Sequence, residues 1–112
     1  MSDVASGGGL KYDSGKLPLE LIPPEAMEAL GTVLAYGAQK YAARNWERGI
    51  SFGRLFGATM RHLWAFWRRQ DDDPESGHPH LWHAFTTLAM LVALVCRRPD
   101  LDDRPGGQNE AE

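Results

Sequence analysis

The chain has a single cysteine, Cys96, in 112 residues. No internal disulfide can form, which fits a reducing compartment. Cys96 lies in an apolar run and reads as a small buried hydrophobe. There is no excess of basic charge either, since 12 Lys and Arg stand against 15 Asp and Glu, a formal net charge of -3. Domains that coat extended nucleic acid are strongly basic, so that role is excluded and a small-molecule or protein partner is expected. Long apolar runs are missing as well. The longest near-apolar stretch, residues 84–96, is shorter than the roughly 20 residues that span a bilayer. Nor does a basic region followed by an apolar one open the chain, so no signal peptide is read there. No internal repeat is visible. The expectation is a soluble, cytoplasmic protein with no membrane partner.

What the chain does have is enough apolar content, 43%, for one modest core. Residues 1–10 are small and Gly-rich, and residues 99–112 form an acidic tail containing Pro105, Gly106 and Gly107. Both ends are expected to be mobile, leaving a domain over residues 11–98. In its first part Gly15, Pro18 and Pro23 forbid a long helix, which gives an extended arm whose Leu17, Leu19, Leu21 and Ile22 need burial. Pro24, with Glu25 and Glu28 behind it, starts a helix predicted over residues 24–43. Ser51 is a candidate N-cap for a second, reaching residue 69. Pro79 precedes a third over residues 80–96 that is apolar nearly all round. The fold class is therefore all-α, a small bundle of three main helices preceded by an extended arm. So few helices cannot cover the third one, and completion by homo-oligomerisation, as a dimer or tetramer, is expected.

Candidate chemistry concentrates between residues 71 and 83, which hold Asp71, Asp72, Asp73, Glu75, His78, His80 and His83. His80 and His83, three apart on one helix, can face a single point, and His62 on the second helix points toward the same end with the core residues. With Asp73 and Glu75 they make a candidate metal set. Carboxylates favour Mg²⁺ or Mn²⁺, while the imidazoles open the site to other transition metals. The competing reading is that the histidines and acids only cap the third helix, a role to which Asp71 and Asp72 are best suited. A second group is cationic: Lys16 in the arm, then Lys40, Arg44 and Arg48, which would form one edge suited to phosphate oxygens if the first helix ran that far. Beside them Trp46 can stack on a purine and Asn45 can read its edge. Trp64, Trp67 and Trp82 read as core.

Four blocks in order carry a resemblance. They are Lys11-Tyr12-Asp13-Ser14-Gly15-Lys16-Leu17-Pro18, then Tyr36-Gly37-Ala38-Gln39-Lys40-Tyr41 with Arg44-Asn45-Trp46-Glu47. Arg61-His62-Leu63-Trp64 and Asp73-Pro74-Glu75-Ser76-Gly77-His78-Pro79-His80-Leu81-Trp82-His83 complete them. Together they resemble the phage dATP/dGTP diphosphohydrolase family, N-terminal type, over about residues 11 to 95. The resemblance implies an all-α pyrophosphohydrolase related to the MazG and dimeric dUTPase group, which cleaves a purine dNTP to monophosphate and pyrophosphate with a divalent metal. On that reading His62, His80, His83, Asp73 and Glu75 hold the metal. Lys40, Arg44 and Lys16 take the phosphates, and Asn45 and Trp46 take the base. Glu47, Asp71 and Glu75 are the candidates to orient the attacking water. MazG-type helices, however, carry Glu-Glu-x-x-Glu and Glu-x-x-Asp, where this chain offers His62 and His80-x-x-His83. Imidazoles in place of carboxylates imply a different metal, a different centre, or a nucleotide sensor that does not hydrolyse. A purely structural helical oligomer is the remaining alternative.

Overall fold

The computed structural model describes residues 15–107, which form an all-α bundle. Pro24 sits at the first turn of α1, where its missing N–H would have no partner in any case, and α1 runs Pro24–Lys40. Its end falls short of residue 43 because Arg44 adopts a left-handed conformation, φ 62°, from which the 3-10 turn Asn45–Arg48 starts. Lys40, Arg44 and Arg48 are consequently not one helical row. The second helix, α2, runs Phe52–Trp67 and ends before Arg69, which is also left-handed, φ 66°. The third, α3, runs His80–Arg97. Within the arm, Leu19–Leu21 forms a 3-10 turn, and Leu17, Leu19, Leu21 and Ile22 remain exposed.

Helices α2 and α3 make the main contact, and α1 leans on α3. Phe52 and Leu55 of α2 and Leu94 of α3 form the buried centre, with Trp46, Ile50, Met90, Leu91 and Leu101 packed around it. Leu101 belongs to a 3-10 turn, Pro99–Leu101, so the segment expected to be a loose tail closes the core instead. Asp103, two residues on, accepts the Gly53 N–H at 2.7 Å. That bond satisfies an unpaired donor of the first turn of α2, the task expected of Ser51, whose side chain makes no cap.

Two further expectations are corrected. Cys96 is exposed, because it falls on the side of α3 that no other helix among the described residues covers. Trp64 and Trp67 are 54% and 76% exposed, on the side of α2 turned from α3, and only Trp82 is half-buried. The uncovered apolar residues are ordered. On α3 they are Leu81, Phe85, Leu88, Val92 and Val95, spaced by four, three, four and three, which is the repeat of a helix-pairing seam. On α2 exposed Phe56, Leu63 and Trp67, with half-buried Met60, follow the same rule. By length and composition α3 would suffice to cross a membrane. Its His83, Ala84, Thr86 and Leu94 are buried against the rest of the domain.

Leu94 is fully buried, 0% exposed, at the point where α2, α3 and the C-terminal turn meet. Leu94→Ala is expected to cost about 2–5 kcal/mol, read as a lower denaturant midpoint with an unchanged slope.

Candidate functional site

The loop from Asp71 to Pro79 closes on itself before α3 begins. Asp72 and Pro79 form an antiparallel bridge, the Asp73 N–H donates to the His78 carbonyl at 2.8 Å, and the His80 N–H donates to the Asp71 carbonyl at 2.7 Å. Gly77 takes φ 78°, which a residue with a Cβ rarely adopts. Its N–H closes the turn on the Asp73 carbonyl at 2.7 Å. The acidic run thus meets the start of α3 through its backbone. No side chain caps the helix, and the Asp71 and Asp72 carboxylates stay exposed.

Inside the loop, Asp73 Oδ2 accepts both the Ser76 hydroxyl at 2.9 Å and the Ser76 N–H at 3.2 Å. Desolvation works to raise the Asp73 pKa, but these bonds and the neighbouring His83 and His80 outweigh it and hold the carboxyl below its ordinary value. An ionised carboxylate only accepts, so the single Ser76 proton is directed at Asp73. Ser76 Oγ is then an acceptor, taking the His78 N–H at 3.1 Å and His83 Nε2–H at 2.7 Å. The tautomer inferred from this bonding leaves His83 Nδ1 with a free lone pair.

His83 is 8% exposed and its ring stacks on His62 with centroids 4.8 Å apart. His62 Nδ1 lies 2.8 Å from His80 Nδ1, so one donates and the other accepts. Desolvation, joined by the other histidines, lowers the His62 pKa. Desolvation also lowers that of His83, with Asp73 opposing it. Below them Thr59 and Thr87 join α2 to α3 at 2.7 Å.

These groups stand at one end of a cleft of about 1260 Å³ between α1 and α2. Of the residues singled out in the sequence, it brings together Lys40, Arg44, Asn45, Trp46, Glu47, His62, Asp73, Glu75 and His83. Lys16, Asp71 and His80 are not among its lining. The acids are already engaged. Glu75 is bound by Lys40 and accepts the Tyr36 hydroxyl at 3.2 Å, and both contacts, Lys40 first, lower its pKa. The Lys40 ammonium is in turn held charged by Glu75, and the Tyr36 phenol is pushed up by desolvation and by the same carboxylate. Glu47 accepts from Arg44 Nη1 at 2.8 Å and lies 3.6 Å from Arg97. Trp46 carries the Arg97 guanidinium 5.6 Å from its ring centre.

The expected metal set does not close. Among the described residues no three His, Cys, Asp or Glu side chains are arranged to hold an ion. Glu75 faces Lys40 and Tyr36, Asp73 faces Ser76, and His83 Nε2 is committed to Ser76. As placed, these side chains do not fit a resident divalent metal.

Arg54, Arg61 and Tyr36 also line the cleft, and Ser76 bonds its Asp73 and His83; helical spacing puts Arg54 and Arg61 on one face of the second helix without marking them for a site. Tyr36, Arg61 and Ser76 stand in the quoted blocks, whereas Arg54 carries no signal beyond its place seven residues before Arg61.

The cleft lining carries four cations, Lys40, Arg44, Arg54 and Arg61, four acids, Glu47, Asp73, Glu75 and Asp103, and the imidazoles of His62 and His83. A family profile described as dATP/dGTP diphosphohydrolase, N-terminal, matches residues 6–104, and the chain belongs to that family. A protein of Salmonella phage PMBT28 named dATP/dGTP diphosphohydrolase is 42% identical over 96 residues, covering 86% of this chain and 33% of that protein. The chain therefore spans about a third of the length of this curated relative. No solved structure matches it.

Half-buried His62 and buried His83 hold protons less tightly in the folded chain than in the unfolded one. Below the ordinary imidazole value near 6.5 the unfolded chain thus binds more protons, and acid favours unfolding. In chelator-treated protein the melting temperature is expected to be level above pH 7 and to fall as pH drops through 6.5 toward 5. His62→Gln should flatten part of that slope.

Proposed function

We propose that this cleft binds a purine deoxynucleoside triphosphate and hydrolyses it to the monophosphate and pyrophosphate. The cleft itself supports the reading: one opening of about 1260 Å³ gathers Asn45 and Trp46 for a base, cations for phosphate, and the buried His83 imidazole. The name of the phage relative agrees with it. Its site would lie in the cytoplasm of the phage's host.

Hydrolysis to these products requires a water oxygen to form a bond with the α-phosphorus. The bond from that phosphorus to the α–β bridging oxygen breaks, and pyrophosphate leaves with the electron pair. The water proton needs an acceptor, and His83 Nδ1 supplies one. It is preferred over Glu47 and Glu75, whose oxygens are taken by cations, and over Asp71, which lies outside the cleft lining. The divalent ion, Mg²⁺ or Mn²⁺, is assigned to the substrate, since Mg²⁺ is commonly carried by nucleotide phosphates with few protein ligands.

Incubation with a panel of dNTPs and Mg²⁺ or Mn²⁺ should release pyrophosphate from dATP or dGTP and none in chelator. The purified protein should hold no stoichiometric metal, and its nucleotide-free melting temperature should be unmoved by chelator. His83→Gln keeps a donor toward Ser76 but loses Nδ1, and should lower kcat by about 10²–10⁴ with little change in KM. A melting shift with dNTPs but no pyrophosphate would identify a nucleotide sensor instead.

The two apolar seams support assembly with a second copy, because each has the 3.5-residue repeat and neither has a partner among the described residues. Phe85→Lys with Val92→Lys is expected to reduce the mass measured by light scattering to that of one chain while helicity persists.

A further inference from the structure

Two cations of the cleft have no counter-ion. Lys40 is neutralised by Glu75, and Arg44 by Glu47. Arg54 and Arg61 line the same cleft, yet among the described residues neither guanidinium makes a hydrogen bond or ion pair. They are seven residues apart, two turns or about 10 Å along the same face of α2. Gly57 lies between them, and a Cβ there would stand 3.2 Å from Arg61 Nη1. The Arg61 side chain thus folds back along its own helix toward Arg54, over a residue too small to obstruct it. The acid of the lining beside Arg54, Asp103, is engaged with the Gly53 N–H at 2.7 Å and ion-pairs with neither guanidinium, so the two like charges repel and an anion between them would relieve that repulsion. Planar guanidinium groups also bind phosphate oxygens in pairs, a geometry an ammonium lacks.

We propose that Arg54 and Arg61, rather than Lys40 and Arg44, seat the polyphosphate of the nucleotide. This rests on the nucleotide reading of the cleft and deepens it. The ion pairs of Lys40 and Arg44 then serve a different end, holding the loop and the 3-10 turn in place around the cleft.

The test is calorimetric titration of the full chain with inorganic tripolyphosphate and with dATP and dGTP, all with Mg²⁺, alongside pyrophosphate release. Arg61→Gln and Arg54→Gln should each weaken tripolyphosphate and nucleotide binding by about tenfold or more, with unchanged melting temperature, and Arg61→Lys should recover part of the loss. Lys40→Gln should lower the melting temperature and weaken tripolyphosphate binding less than either arginine variant. Unchanged tripolyphosphate affinity in both arginine variants, or no tripolyphosphate binding by the unmodified chain, overturns the assignment. Arginine-dependent binding without pyrophosphate release upholds it while removing the hydrolase reading. Hydrolysis with the same KM in both variants removes the assignment and leaves the hydrolase standing.

Discussion

The Ser76 hydroxyl stands between Asp73 and His83, and the tautomer of His83 depends on where its single proton goes. Because Asp73 is ionised, Ser76 must donate to it, and His83 must then donate through Nε2. That chain of bonds clamps the loop onto the first turn of α3, fixes the imidazole tautomer, and leaves Nδ1 free. It also aims Glu75 away from the histidines toward α1, where Lys40 and Tyr36 receive it. Without the Ser76 hydroxyl, the Asp73 carboxylate would keep the Ser76 N–H at 3.2 Å and the proximity of His83 at 3.6 Å, too long for a hydrogen bond. The link from the loop to the His83 imidazole would then be lost, while its backbone bonds at the start of α3 and the Glu75 contacts to α1 would stay.

The same bonds give Asp73, Glu75 and His83 of this run partners within the chain. Each carboxylate in the cleft is met by a donor or a cation from this chain, which settles its charge before any ligand arrives. A phosphate bound at Lys40 would have to displace Glu75, and one at Arg44 would have to displace Glu47. The cations of the cleft that make no ion pair among the described residues, Arg54 and Arg61, lie along α2. Geometry thus divides the charged residues into those that hold the site together and those left for an anion.

Much of the architecture was legible in local sequence. Pro24 and Pro79 mark helix starts that the structure keeps, and the apolar periodicity locates all three helices. What was illegible depends on partners distant along the chain. Asp103 reaches Gly53 across fifty residues, and nothing near Ser51 reveals that another group will take its task. Lys40 and Glu75 form a pair of the same kind, so reading Lys40 as a free phosphate ligand followed from seeing its charge without its neighbour. Trp64 and Trp67 were assigned to the core because large aromatic surface is expensive to leave in water. That argument fixes a need for burial and is silent on what provides it. His62 and His83 were recovered because helical spacing, a local property, places them on the core face.

The apolar seam and the cleft also occupy opposite sides of α3. At 100° per residue Leu81, Phe85, Leu88, Val92 and Val95 fall within one narrow stripe, whereas His83, Thr87, Met90 and Leu94 fall on the far side. A helix apolar nearly all round can therefore serve two purposes without conflict. One face packs into the domain and carries the imidazole at its first turn, and the other is left for the proposed second copy. Assembly along that stripe would cover the outer face of α3 and leave the mouth between α1 and α2 open. On α2, Arg54 and Arg61 are likewise rotated away from the Phe56, Leu63 and Trp67 stripe, so the guanidinium groups would remain accessible to an anion when the seams are paired.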